Sequence, residues 1–197
     1  MLVLHYTGMR DTEAALDRLC DPGAQVSAHY VICPRGTLWQ LVSEENRAWH
    51  AGAGEWAGLR DINSRSIGIE LVNTGAQPFP EPQMRRLEEL MRQVMDRHAI
   101  APRDVIAHSD MAPERKEDPG PRLDWRRLAR LGLAFWPEGM GEDRPLAPSL
   151  DAIGYPPAET SRRLQAFRFR FHPAGTGPES VVDRRRAAAV AAAFGPT

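Results

Sequence analysis

The stretch Asp104–Gly120 reads DVIAHSDMAPERKEDPG and concentrates side chains that can do chemistry. It opens as a short apolar strand (Val105, Ile106, Ala107) and delivers His108 where that strand runs out. A loop broken by Pro113 follows, then Lys116, Asp118, Pro119 and Gly120. Neutral imidazole and carboxylate oxygen are both ordinary zinc ligands, and a catalytic zinc usually takes three protein ligands and keeps one position open. The third ligand must then lie far away in sequence and near in space. His5, at the end of the strand Leu2-Val3-Leu4, is the best candidate.

A second candidate position is Glu70, in Ser66–Asn73 (SIGIELVN). Strand alternation puts Ile67, Ile69 and Leu71 on one face and Ser66, Gly68, Glu70 and Val72 on the other. The small residues at 66 and 68 leave room around the carboxylate. A glutamate inside an apolar strand costs stability unless it is paired, hydrated or used. A paired structural glutamate and a catalytic one are both open at this point.

These residues need a scaffold, and the chain supplies one. Leu2–Thr7 is almost unbroken apolar, as in a strand buried on both faces. Thr12–Cys20 reads as a short helix, with Ala15, Leu16 and Leu19 on one side and Asp21-Pro22-Gly23 closing it. His29–Cys33 and Thr37–Val42 predict a hairpin around Pro34-Arg35-Gly36. Residues 47–63, rich in Gly and Trp, read as loop. Pro82–His98 is amphipathic at helical spacing through Met84, Leu87, Met91, Val94 and His98, with Pro82 in the first turn. His98 at its C-terminus reads as structural. Leu123–Leu133 predicts a closing helix with Trp125 and Leu128 inward. The Pro/Gly-rich PEGMGEDRPLAP stretch reads as a linker. Beyond it, one helical stripe runs through Leu164, Phe167 and Phe171. Another runs from Val181 and Val182 through the alanines to Phe194.

Composition excludes several classes of protein. At 197 residues the chain has room for one good core and a small second module. It is 42% hydrophobic and 26% charged with a net charge of −1, so nothing argues for a nucleic acid or an anionic membrane as partner. The longest apolar tail stretch, Ala187–Phe194, is too short to span a bilayer. Cys20 and Cys33 are too few for a disulfide framework; they read as buried thiols in a reducing compartment. No signal-peptide pattern opens the chain, which favours the cytoplasm. The first strand begins right after Met1, however, and this leaves open a natural start further upstream and with it a periplasmic location.

Five motifs in order resemble the zinc-dependent N-acetylmuramoyl-L-alanine amidases, the family that also includes peptidoglycan recognition proteins. They are LVLHYT around His5, SAHYVI at 27–32, RAWHAG at 47–52, SIGIELVN at 66–73 and AHSDMAPERKEDPG at 107–120. The resemblance covers roughly residues 1–137. Residues 150–197, through LDAIGY and LQAFRFRF, resemble a small three-helix peptidoglycan-binding module, with 138–149 as the linker.

The resemblance implies an α/β fold, a mixed central β-sheet flanked by helices, plus that C-terminal helical module. It implies zinc held by His5, His108 and Asp118, with Glu70 and Lys116 catalytic. The reaction implied is hydrolysis of the amide between N-acetylmuramic acid, or its anhydro form, and L-alanine of the peptidoglycan stem peptide. Tyr6, His29, Tyr30, Arg47 and His50 are candidates to line or support the substrate groove, and His29 or His50 remain possible substitute ligands. The sequence departs from the phage branch, whose catalytic tyrosine corresponds to Ala28, so that role falls to Glu70. The wider family also contains non-hydrolysing peptidoglycan binders. Those typically lack a zinc ligand, whereas all three positions are filled here.

Overall fold

The computed structural model describes residues 1–194; residues 195–197, the end of the expected C-terminal module, lie outside the described residues. A five-stranded sheet runs in the order β3 (Leu38–Gln40), β2 (Tyr30–Ile32), β6 (Ile67–Leu71), β1 (Leu2–Tyr6), β7 (Val105–Ala107). Strands β2, β6, β1 and β7 are parallel to one another, and β3 returns antiparallel at the edge. A separate two-stranded ribbon, β4 (Glu55–Trp56) with β5 (Leu59–Arg60), lies within the stretch expected to be loop.

The helices are α1 (Thr12–Cys20), α2 (Glu81–His98), α3 (His108–Met111), α4 (Trp125–Arg130), α5 (Leu146–Ile153), α6 (Thr160–Phe171) and α7 (Val181–Phe194). Helix α1 starts where expected because Asp11 accepts from the Glu13 N–H, satisfying an otherwise orphan donor. Helix α3 is the unexpected one: four residues that continue straight from β7, in a stretch read as loop. Helix α5 begins at Leu146, inside the stretch expected to be linker.

Alternation divides the strand residues cleanly between two faces. Leu2, Leu4, Ile67, Ile69 and Leu71 pack with Met84, Leu87, Met91 and Val94 of α2 and with Trp125 and Leu128. The opposite face is covered in two pieces. Val31 and Val72 pack with Ala15 of α1, with Leu16 and Leu19 alongside. Val3 and Ile106 pack with Leu146, Leu150, Phe167, Phe171 and Val190 of α5–α7. The C-terminal helices therefore supply part of a layer of the main core. Between the two pieces, the same face presents His5 and Glu70.

Two expectations need correction. Val181 and Val182 are exposed, at 49% and 40%; α7 buries Asp183, Ala187, Ala188 and Val190 instead. The inward side of α7 includes Asp183, which pairs with Arg168 and His172, so the valines do not mark it. Cys33 is buried as expected, but Cys20 is exposed at the end of α1.

Phe167 is fully buried, and its ring lies 5.2 Å from that of Phe171. Phe167→Ala should cost about 3–5 kcal/mol, the usual range for truncating a core phenylalanine. Because the C-terminal helices share a core with the sheet, denaturant unfolding should remain a single transition at a lower midpoint.

Candidate active site

All four parallel strands point their C-terminal ends at one edge of the sheet, where ligands gather in open α/β folds. The register aligns His5 with Glu70 across β1 and β6, and Leu4 with Ala107 across β1 and β7. His108 follows Ala107 directly, so the two histidines from opposite ends of the domain become neighbours. Helix α3 then turns the chain back, and the Ser109 N–H donates to the Asp118 carbonyl at 3.0 Å. That contact brings the distant end of the loop to the strand ends.

Three atoms converge there. His5 Nδ1, His108 Nδ1 and Asp118 Oδ2 are separated by 2.9, 2.9 and 3.0 Å, and all three residues are buried. The surroundings assign the protons. His108 Nε2 lies 2.9 Å from the Ala51 carbonyl, which can only accept, so a neutral His108 carries its proton on Nε2 and has Nδ1 bare. The Ser66 hydroxyl donates to the Ile62 carbonyl at 2.6 Å, which turns its remaining lone pair toward His50 Nε2 at 3.4 Å. His50 Nδ1 is then an acceptor for His5 Nε2–H at 3.1 Å, and His5 Nδ1 is bare as well. Burial, opposed by Asp118, pushes the His5 pKa down to about 4. The imidazole is therefore neutral near pH 7.

The result is two nitrogen lone pairs and a carboxylate oxygen facing one another with no proton between them. Such a set repels itself unless a cation sits at its centre. Donors around a tetrahedral zinc with bonds of about 2.0–2.1 Å lie roughly 3.3 Å apart, so a small opening of the trio suits that ion. The outer contacts from Ala51 and His50 are of the kind that orient ligating histidines.

Glu70 stands one strand away from His5, and its Oε2 is buried with no hydrogen-bond partner among the described residues. Burial, with Asp118 adding to it and Lys116 opposing, pushes its pKa up to about 8. The space expected beside it at Gly68 is taken: a Cβ there would lie 2.4 Å from Cγ of the His50 ring. Lys116 lines the same groove as Glu70, His108, Asp118 and Tyr6, with Trp49, Arg18 and Leu19 on its walls. Lys116 is the only lysine in a chain otherwise supplied with arginine, a signal that the sequence reading passed over. A compact ammonium, rather than a guanidinium fork, is what this position holds.

The other expected groove residues separate. Tyr6 lies at the rim, against Gly75. His50 is buried against His5 and lines the groove as well, and its backbone N–H donates to Asn63 Oδ1 at 3.0 Å. His29 is buried too, accepting from the Gly68 N–H at Nδ1 and reaching the Asn46 carbonyl through Nε2. Tyr30 donates to Glu44, which also holds Arg97 and His98, away from the groove. Arg47 is exposed in an ion pair with Asp61. The sequence reading gave no role to Asn63, Asp110 or Arg115, whose guanidinium donates to the Ala51 and Ala53 carbonyls, and took Ser66 only as a small neighbour of Glu70. They act through backbone carbonyls, backbone amides and buried side chains that no local spacing announces.

The chain matches the N-acetylmuramoyl-L-alanine amidase family, Amidase_2, over residues 1–121. It is 37% identical to the N-acetylmuramoyl-L-alanine amidase AmiD of Escherichia coli K12 over 209 residues, covering 88% of this chain and 75% of that protein. The 1,6-anhydro-N-acetylmuramyl-L-alanine amidase AmpD of the same organism is 39% identical over 107 residues, which is 54% of this chain and 58% of AmpD. A solved structure of E. coli AmiD with the substrate anhydro-N-acetylmuramic acid-L-Ala-D-gamma-Glu-L-Lys superposes with a TM-score of 0.90 at 32% identity, covering 99% of this chain and 89% of that one. Pseudomonas aeruginosa AmpDh3 with anhydromuramic pentapeptide gives 0.88 at 29%, covering 100% and 92%. The family match runs from Met1 through both histidines to just past Asp118, and the structural likeness takes in nearly the whole chain: this protein belongs to the N-acetylmuramoyl-L-alanine amidases.

Proposed function

We propose that this enzyme hydrolyses the amide between N-acetylmuramic acid, in its anhydro form above all, and L-alanine of the stem peptide, with zinc held by His5, His108 and Asp118. The observation that carries the reading is the unpartnered Glu70 Oε2, one strand from a trio of bare ligand atoms. The substrates of AmiD and AmpDh3 in their solved complexes support the anhydro-muropeptide. When bound, zinc supplies Lewis acidity, polarising an amide carbonyl and making water acidic near neutral pH.

The chain's own residues supply the rest. Glu70 Oε2 takes a proton from the attacking water as the water oxygen bonds to the lactyl carbonyl carbon. It then gives that proton to the alanine nitrogen as the C–N bond breaks, which leaves an acid and a free amine. Lys116 offsets the negative charge that collects on the former carbonyl oxygen, in a groove where partial exclusion of water strengthens the effect. The unpaired cysteines support a reducing, cytoplasmic setting, where the substrate is soluble. Fractionating cells that express the natural gene checks this point. Among the described residues no helix is long and apolar enough to cross a membrane.

Release of the stem peptide from anhydro-muropeptide, assayed with and without a chelator, tests the activity. Purified protein should contain about one zinc per chain, and His5→Ala, His108→Ala or Asp118→Ala should lose it; full metal content in any of the three would refute the ligand set.

Glu70→Gln and Lys116→Ala should retain metal and lose at least about a hundredfold in turnover, the scale of a general acid/base or oxyanion partner. Lys116→Arg should not restore the rate, since the guanidinium cannot present a compact charge at the same point.

Glu70 also makes a prediction for the metal-free protein. Its folded pKa of about 8 lies above the unfolded value of about 4.3, so ionisation works against the fold. The neutral form's contribution is complete at low pH and is lost as pH rises through about 8. In the presence of chelator, Glu70→Gln should therefore match wild type in melting temperature near pH 4 and exceed it increasingly up to about pH 8. Parallel curves across that range would contradict it.

A further inference from the structure

We propose that the C-terminal helices hold the metal-binding loop in register through Asp110, so that Tyr155 and Arg170 are positioning residues for His108 and Asp118. The inference rests on the ligand set proposed above. Asp110 lies on α3, the single helical turn that starts with His108, and its side chain is fully buried. Three donors close around its carboxylate. The Ala107 N–H, at the end of β7, reaches Oδ2 at 2.9 Å. The other two come from the C-terminal region: Tyr155 Oη donates to Oδ1 at 2.7 Å, and Arg170 Nη1 to Oδ2 at 2.8 Å. The same helical turn holds Asp118 through the Ser109 N–H and continues into the Ala112 N–H donating to the His108 carbonyl. The angle of α3 therefore sets His108 Nδ1 against Asp118 Oδ2, and that angle is fixed from the C-terminal side.

Stability alone does not account for this clasp. Arg170 is buried to 1% exposure and stacks on Trp125 at 4.5 Å and Phe171 at 4.7 Å. Its Nε and Nη2 have no hydrogen-bond partner among the described residues. Orphan buried donors are costly, and an apolar side chain of similar volume often replaces a buried ion pair without loss. The second buried pair of these helices is built differently. Arg168 meets Asp183 with Nε and Nη2, and its Nη1 and Nη2 also donate to the carbonyls of Gly177 and Pro178. Arg168 ties one loop of the helical module to itself. Arg170 leaves donors unused and reaches across to the metal loop. What it contributes is a fixed geometry.

The test compares full-length wild type with Tyr155→Phe, Arg170→Met and Arg168→Met. Two quantities are read: zinc affinity by competition with a chromophoric chelator, and melting temperature of the metal-free protein. The expected result is a loss of zinc affinity of about 10-fold or more in Tyr155→Phe and Arg170→Met, the scale seen when partners behind metal ligands are removed. Arg168→Met should lower the melting temperature and leave zinc affinity at the wild-type value. Wild-type affinity in both clasp variants would overturn the proposal, as would an equal loss in Arg168→Met. If Arg170→Met does not fold, Tyr155→Phe, which deletes one hydroxyl, decides the matter. Wild-type protein that binds no zinc would instead defeat the ligand set on which the clasp depends.

Discussion

Two imidazole lone pairs and a carboxylate oxygen, each within 3.0 Å of the others and away from bulk water, form an arrangement that a chain folding by itself would avoid. Buried polar atoms are normally matched donor to acceptor. Here the matching is spent one step further out, where Ala51, His50 and Ser66 take up the available protons. The inner atoms are left complementary to a cation. Much of the molecule can be understood as support for that unfavourable contact: a parallel sheet that collects strand ends, a helical turn that reverses the loop, and buried networks behind each ligand.

The same constraint explains the unequal treatment of the two sheet faces. The face carrying Leu2, Leu4, Ile67, Ile69 and Leu71 is closed by α2 and α4 in one continuous core. The other face carries Glu70 and the trio, and no single helix covers it. Helix α1 takes the Val31 side and the C-terminal helices take the Val3 and Ile106 side. The groove is walled by α1, by Trp49 and His50, and by the loop that carries Lys116 and Asp118. The C-terminal helices in this position complete the hydrophobic layer and reach the His108 helical turn through Asp110.

Glu70 shows how burial and use are joined. In water its carboxyl would be ionised well below neutral pH. Inside the groove burial raises it to about 8, a value that suits the proton transfers proposed for it. The neighbouring Asp118 strengthens the shift and Lys116 moderates it, so the two residues on the loop also tune the one on the strand.

Local pattern was enough to make much of this legible. Strand periodicity located β1, β6 and β7, and strand-end chemistry singled out His5 and His108. The helical spacing of α2 was plain because one face had to be apolar to bury against the sheet. Motif order supplied the fold and pointed to Glu70, Lys116 and Asp118. Other features were decided only by tertiary structure. His50 reads as a groove residue and is one, and it also backs His5, because Gly68 leaves its ring a place on the sheet. Val181 and Val182 read as inward and face solvent, because the neighbouring Asp183 turns in to pair with Arg168 and His172. Asp110, Tyr155 and Arg170 carry no mutual signal at separations of 45 and 60 residues. A sequence records which residues can bury or ionise. Which of them share a proton depends on distances of a few ångströms between segments far apart in the chain, and only the packed fold sets those.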